Sequence, residues 1–198
     1  MNTMKLGARQ LRRSQPSNSD LTKIRRREIY IVCDNVLDTY NVGSIFRLAD
    51  AVAAKRIYLC GQTETPPYHR ISKAAVGTEK WVPWEYASTA VEAIAKVRSQ
   101  SFDGFRMTLS DNRMGQRDRF PSEKRKCKVI AIEQSPKAVD FRKANYDEPI
   151  AFVVGNETDG VSKEALATVD EIVEIPMFGV NKSLNVMVSL AIVLFKAI

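Results

Sequence analysis

Apolar positions along this chain fall into two alternating rhythms. Short apolar runs at 29–33, 56–60, 81–84, 129–132, 150–154 and 171–175 read as strands, and those at 129–132 and 150–154 are continuous enough to be buried on both sheet faces. Between them lie segments with helical spacing. Residues 42–54 place Ile45, Leu48, Ala49 and Val52 at i, i+3, i+4 and i+7. Residues 88–97 read as a helix capped by Ser88, 161–168 as a short helix, and 184–196 as a strongly apolar C-terminal helix. Strands alternating with helices predict an α/β fold, a mainly parallel sheet with helices on both faces.

Two stretches stand outside this rhythm. Residues 1–27 have weak periodicity and a polar run at 15–20, and read as a basic N-terminal arm with a short helix and a linker; the domain then spans 28–198. Residues 104–128 break the alternation. A strand is possible at 105–109, but the turn and basic stretch after it make a long loop or an inserted hairpin, and segments of that length are usually functional.

Composition narrows the class. With 44% hydrophobic and 27% charged residues over 198 positions, the chain is neither disordered nor fibrous. Its longest apolar stretch, 186–195, is too short to span a bilayer, and no apolar segment follows the basic N-terminus as in a secretory signal. Cys33, Cys60 and Cys127 show no CxxC spacing, and His69 is the single histidine, so neither a disulfide framework nor a metal site is expected. These features predict a soluble, cytoplasmic protein with no membrane or metal partner.

Charge is placed unevenly. Residues 1–27 carry eight Lys/Arg against Asp20 alone, a surplus equal to the net +7 of the whole chain, so the remainder is neutral. A second basic run, 104–128, holds eight Lys/Arg against three acids. Two basic segments on a neutral body suit a polyanion such as RNA; they equally suit a solvated tail and a solvated loop.

Three segments put Gly, Asn, Ser and charged side chains just past strands, where open α/β sheets bind ligands. The first is Asn41-Val42-Gly43-Ser44-Ile45-Phe46-Arg47, with Arg47 on the face of Gly43 and away from the apolar stripe. Alone it reads as well as an exposed helix arginine, while Gly43 would let a backbone or a ligand approach. The second, Gly155-Asn156-Glu157-Thr158-Asp159-Gly160, is turn chemistry without a P-loop or GxGxxG pattern. The third runs from Ile175-Pro176-Met177-Phe178-Gly179 to Ser183-Leu184-Asn185-Val186, where Ser183 could cap the last helix and the Asn185 amide needs a partner from protein or ligand.

In this order and spacing the three segments resemble the signature motifs of the SpoU (TrmH-like) branch of the SPOUT superfamily, over roughly residues 28–198. The connecting text at 59–61 and 71–79 is similar as well. The resemblance implies an RNA ribose 2'-O-methyltransferase that uses S-adenosylmethionine, acts on tRNA or rRNA, forms a homodimer and ties its C-terminal segment into a deep trefoil knot, an exception to the usual absence of knots. Carried over by position, Arg47 matches the arginine assigned to activating the ribose hydroxyl and Asn41 its supporting asparagine. Glu157, Ser183 and Asn185 match the glutamate, serine and asparagine of the later motifs. The cofactor pocket would use Ile132, Glu133, Gly155, Ile175, Met177 and Leu184. A guanidinium is always protonated, so Arg47 is expected to grip a phosphate and polarise the hydroxyl while Glu157 or solvent takes the proton.

The chain departs from the family pattern in Met187-Val188-Ser189-Leu190, where a small polar residue and alanine usually follow, and in the length of the 104–128 segment. No ribosomal-protein-like RNA-binding domain precedes residue 28, so RNA grip would fall to the arm, the basic insertion and the dimer surface. A non-catalytic RNA-binding member of the same fold is the alternative; a nucleotide-binding dehydrogenase is a third, disfavoured by the missing GxGxxG. In the 66–73 loop, His69 and Lys73 suit either a surface loop or RNA contact. Trp81 and Trp84 read as core or interface, and Cys33 and Cys60 as buried small hydrophobes.

Overall fold

The structure is a computed structural model that describes residues 5–100 and 125–198. In chain order its elements are α1 (Ala8–Arg13), α2 (Asn18–Lys23), β1 (Arg27–Asp34), α3 (Thr39–Ala51), β2 (Ala54–Cys60), α4 (His69–Ala75), a 3-10 turn (Thr78–Lys80), β3 (Trp84–Ala87), α5 (Ala90–Ser99), β4 (Lys128–Ile132), β5 (Val139–Asp140), β6 (Ile150–Val154), α6 (Lys163–Leu166), β7 (Glu171–Glu174) and α7 (Val186–Lys196).

The strands form one parallel sheet in the order β3-β2-β1-β6-β4-β7-β5. Alternate residues of each strand feed different layers. Ile29, Ile31, Cys33 and Phe152 face α3, α4 and α7, whereas Tyr30, Val32, Ala151 and Val153 face α5 and α6. Helices therefore cover both faces, as the alternation predicts. Phe46 and Phe152 are completely buried, and truncating either to alanine would cost about 3–5 kcal/mol.

The order of strands fixes the site. From β1 the chain moves to β2 on one side; from β6, which pairs β1 through Cys33 and Val154, it moves to β7 on the other. Their adjacent carboxyl ends form the topological switch point of an open parallel sheet. After β7 the chain returns, and α7 packs on β4, β6 and α3.

Several local expectations are corrected. The third strand is Trp84–Ala87, while Trp81 and Val82 are buried in the turn before it. Residues 69–75 form α4, so His69 and Lys73 sit on a helix. Helix α5 is capped by Thr89, whose hydroxyl accepts the Glu92 N–H, and α7 by Asn185; neither Ser88 nor Ser183 does this. Most of the 104–128 insertion, including the possible strand at 105–109, lies outside the described residues.

Candidate active site

Three loops meet at the carboxyl edge of the sheet. Asp34, 2% exposed at the end of β1, accepts the Ser162 N–H at 2.8 Å, and the Asn35 carbonyl accepts from Asn156 Nδ2 at 3.2 Å. The loop after β6 is thereby fastened to the loop after β1. It also closes on itself, because Asn156 and Gly160 exchange backbone hydrogen bonds of 2.9 and 3.0 Å. Glu133, at the end of β4, accepts the Val161 N–H at 2.9 Å. Only glycine fits at 155, where a Cβ would collide with the backbone of Gly160 and Val161.

From this loop Glu157 reaches the start of α3. Its carboxylate accepts the N–H groups of Leu37 and Asp38, both at 3.1 Å, and Asn41 Nδ2 at 2.9 Å. Asn41, 6% exposed, uses its Oδ1 to accept from Asn185 Nδ2 at 3.0 Å. The Asn185 oxygen meanwhile accepts the Met187 and Val188 N–H groups at the head of α7. One polar chain, Glu157–Asn41–Asn185, thus ties all three sequence motifs together. The partner that Asn185 requires is protein. Partial burial pushes the Glu157 carboxyl up, but the Asn41 amide and the backbone N–H groups outweigh it and hold its pKa below the usual value.

Beside this chain a cleft of about 520 Å³ opens at the ends of β4, β6 and β7. Ile132, Glu133, Gly155, Ile175, Met177 and Leu184 all line it, as do Glu157, Ser183 and Asn185. The size suits a small organic molecule. Among the described residues four carboxylates (Glu133, Glu157, Asp159 and Glu174) and no lysine or arginine line it, which favours a cation over a phosphate. Ser183 is exposed at the lip, its N–H donating to Asn181 Oδ1 at 3.3 Å. Among the described residues no group of three or more His, Cys, Asp or Glu could hold a metal ion.

Arg47 is not part of the cleft wall. It is exposed on α3, about 9 Å further along the axis than Asn41 at about 1.5 Å per residue, and has no hydrogen bond or ion pair among the described residues. Gly43, one turn before it, is needed for packing: a Cβ there would lie 2.6 Å from both Ala74 Cβ and the Ile71 carbonyl oxygen of α4. The close approach is by backbone, not ligand.

Residues 28–123 and 116–195 match the model of the SpoU rRNA Methylase family. The chain belongs to that family. This SpoU-family chain is 28% identical over 180 residues to the tRNA (guanosine(18)-2'-O)-methyltransferase of Aquifex aeolicus, covering 87% of itself and 70% of that protein. It is 30% identical over 178 residues to the enzyme of the same name from Thermus thermophilus, covering 90% and 78%. A crystal structure of an AdoMet-bound rRNA methyltransferase from Sinorhizobium meliloti superposes with a TM-score of 0.69 at 26% identity, over 94% of this chain and 59% of that one.

Residues beyond those expected from the motifs also build the cleft and its loops. Asp34, Asn35 and Asn156 hold the loop after β6, and Gln134 and Asn181 line the cleft. The signal was an Asp-Asn pair directly after an apolar strand, at the end where ligands bind.

Proposed function

We propose that this protein transfers the methyl group of S-adenosylmethionine to the 2'-hydroxyl of a ribose in tRNA or rRNA. The observation that carries the reading is the Glu157–Asn41–Asn185 chain, which joins the wall of a cation-suited cleft to the helix bearing a free arginine. A non-catalytic RNA binder would not need these groups held together, and a dinucleotide enzyme would need cationic or N–H donors for its pyrophosphate.

The residues present fit the cofactor. Ile132, Ile175, Met177 and Leu184 supply apolar walls for an adenosyl group, and Glu133, Asp159 and Glu174 supply negative charge toward a sulfonium and an ammonium. When bound, the cofactor brings a methyl group already activated on sulfur. The protein's own task is to align the ribose oxygen and lower the charge that develops on it. In this reading Arg47 grips a neighbouring phosphate and polarises the hydroxyl, using the bidentate geometry of its guanidinium. Ser183 offers a hydroxyl at the cleft lip. Glu157 is a positioning residue: three N–H donors occupy it and its pKa is lowered, so it is a poor base and the proton leaves to solvent.

The reading includes the C-terminal knot and a homodimer. Support for the knot is the return of the chain from β7 to pack α7 on α3. Support for the dimer is a stripe of Val188, Ile192 and Phe195 at i, i+4 and i+7 on α7, which stays 37, 36 and 52% exposed. Cytoplasmic residence accords with an RNA substrate; among the described residues no helix is long and apolar enough to cross a membrane. Calorimetry with S-adenosylmethionine and methyl incorporation into bulk RNA test the proposal. Binding with incorporation mapped to 2'-oxygens is expected; absence of cofactor binding overturns it, and binding without incorporation favours the non-catalytic alternative.

A further inference from the structure

We infer that the N-terminal arm is a docked RNA-binding wall, latched to the body at Gly77 and set beside Arg47, instead of a free cationic tether. The inference rests on the RNA-methylating reading above and adds to it how the RNA is held.

Six of the arm's eight cations fall into two sets, Lys5 and Arg25 standing outside both. Arg26 donates to the carbonyls of Ala54 and Trp81, Arg27 pairs with Glu148, and Lys23 pairs with Asp20. Arg26 and Arg27 are thereby committed to the body, and Lys23 to a local pair within α2. Arg9, Arg12 and Arg13 on α1 are exposed and make no hydrogen bond or ion pair among the described residues. The segment that carries them is nevertheless fixed. The backbone of Leu11 occupies the space that a Cβ on Gly77 would take, with the Leu11 carbonyl carbon 2.6 Å from that position, and Gly77 has a φ of 99° that other residues resist. Lys80 Nζ donates to the Arg12 carbonyl at 3.2 Å, and Trp81 Nε1 donates to Ser14 Oγ at 3.1 Å. The end of α1 thus has its acceptors used by the body.

Gly77 lies just past Val76, the residue that ends α4, and α4 packs on α3 at Gly43. Arg47 lies one turn beyond Gly43 on α3, and Arg70 and Lys73 are exposed on α4 without partners among the described residues. Three neighbouring helices therefore present six uncommitted cations, Arg9, Arg12, Arg13, Arg47, Arg70 and Lys73. Leu11 is the sole large apolar side chain on α1, so this helix offers charge and hydrogen bonding with no apolar wedge. That chemistry fits a phosphate backbone. A latched arm surrenders less conformational freedom on binding than a loose one, so the fold has already met part of the ordering cost.

The test measures binding of the full chain to bulk tRNA across a salt series, together with trypsin cleavage of the arm and S-adenosylmethionine affinity. The triple variant Arg9→Gln/Arg12→Gln/Arg13→Gln should lower the slope of log affinity against log salt by about 2, roughly 0.7–0.9 for each phosphate left without its arginine. Gly77→Ala keeps every cation but should speed trypsin cleavage of the arm and weaken RNA binding about tenfold with cofactor affinity unchanged. Unaltered cleavage in Gly77→Ala overturns the latch. Faster cleavage with full RNA affinity means that a loose arm serves equally, which overturns the wall. An unchanged salt slope in the triple variant removes the arm from the RNA altogether. A wild-type chain that binds neither RNA nor cofactor overturns the functional reading beneath both.

Discussion

Asn41 offers the sharpest test of the polar chain because two substitutions at it, to alanine and to aspartate, predict different pH behaviour. Asn41→Ala removes a hydrogen bond to the Glu157 carboxylate at 2.9 Å and one from Asn185 at 3.0 Å. A bond to a charged group contributes about 1.5–3 kcal/mol and a neutral one about 1 kcal/mol, and Glu157 keeps two backbone donors, so a loss of about 2–3 kcal/mol is expected. Asn41→Asp still accepts from Asn185 but sets a second carboxylate against Glu157. Two like charges 4 Å apart repel by about 4 kcal/mol at an effective dielectric of 20, and exposure of Glu157 to solvent roughly halves this. Together with the lost hydrogen bond, Asn41→Asp should be destabilised by about 4 kcal/mol at pH 7. The repulsion raises the native-state pKa of the new carboxyl above its unfolded value near 4, so the folded variant takes up the proton first as pH falls. The gap between Asp and Ala should therefore be full at pH 7 and close toward pH 4. Urea unfolding of both variants between pH 4 and 8 measures it. An Asp variant no weaker than the Ala variant at pH 7, or a gap that does not change with pH, would show that Asn41 and Glu157 do not share a hydrogen bond in solution.

Three further outcomes follow from the site. Arg47→Lys should lower turnover about 100-fold while leaving S-adenosylmethionine affinity intact, because lysine keeps the charge but not the planar fork; undiminished single-turnover rates would exclude the proposed grip. Gly155→Ala should cost about 3 kcal/mol in urea unfolding and abolish cofactor binding by calorimetry, since its Cβ meets backbone that cannot move independently. Ile192→Asp places a charge in the apolar stripe of α7 and should convert a dimer into monomer in sedimentation equilibrium without loss of helical circular dichroism.

The parallel sheet was legible because strands buried on both faces leave uninterrupted apolar runs, and β6, buried along its whole length, was located to the residue. Elements with little buried surface left weaker traces. Helix α4 buries only Ile71 and Ala75, follows two prolines and has a half-polar sequence, so it read as a loop; β5 is two residues long. At the head of α7 two capping residues competed, Ser183 and Asn185. Asn185 stands directly before the first helical residue, where its oxygen accepts two backbone N–H groups while its amide donates to Asn41. The six residues expected around the cofactor all line the cleft, since motif spacing carries loop position well. The service that Glu157 gives to α3 was not legible, because it depends on backbone N–H groups more than a hundred residues away.

Charge is segregated across the molecule in a way that net composition conceals. Among the described residues the cleft is walled by carboxylates, polar amides and apolar side chains with no lysine or arginine, whereas the uncommitted arginines of α1, α3 and α4 lie outside it. A polyanion drawn to the outer surface is repelled from the cleft, and a sulfonium donor is drawn in. The two substrates of a methyl transfer need separate binding sites yet must bring one oxygen and one carbon into line. In the proposed reading helix α3 supplies that meeting point: Asn41 near its head is bonded into the cleft wall, and Arg47, exposed further along it, is one of the uncommitted cations. One 13-residue helix carries both side chains, so their separation along its axis is set by regular helical geometry. Glu157, with three N–H donors on its carboxylate, fastens the start of α3 to the loop after β6 and so sets where that helix stands against the cleft.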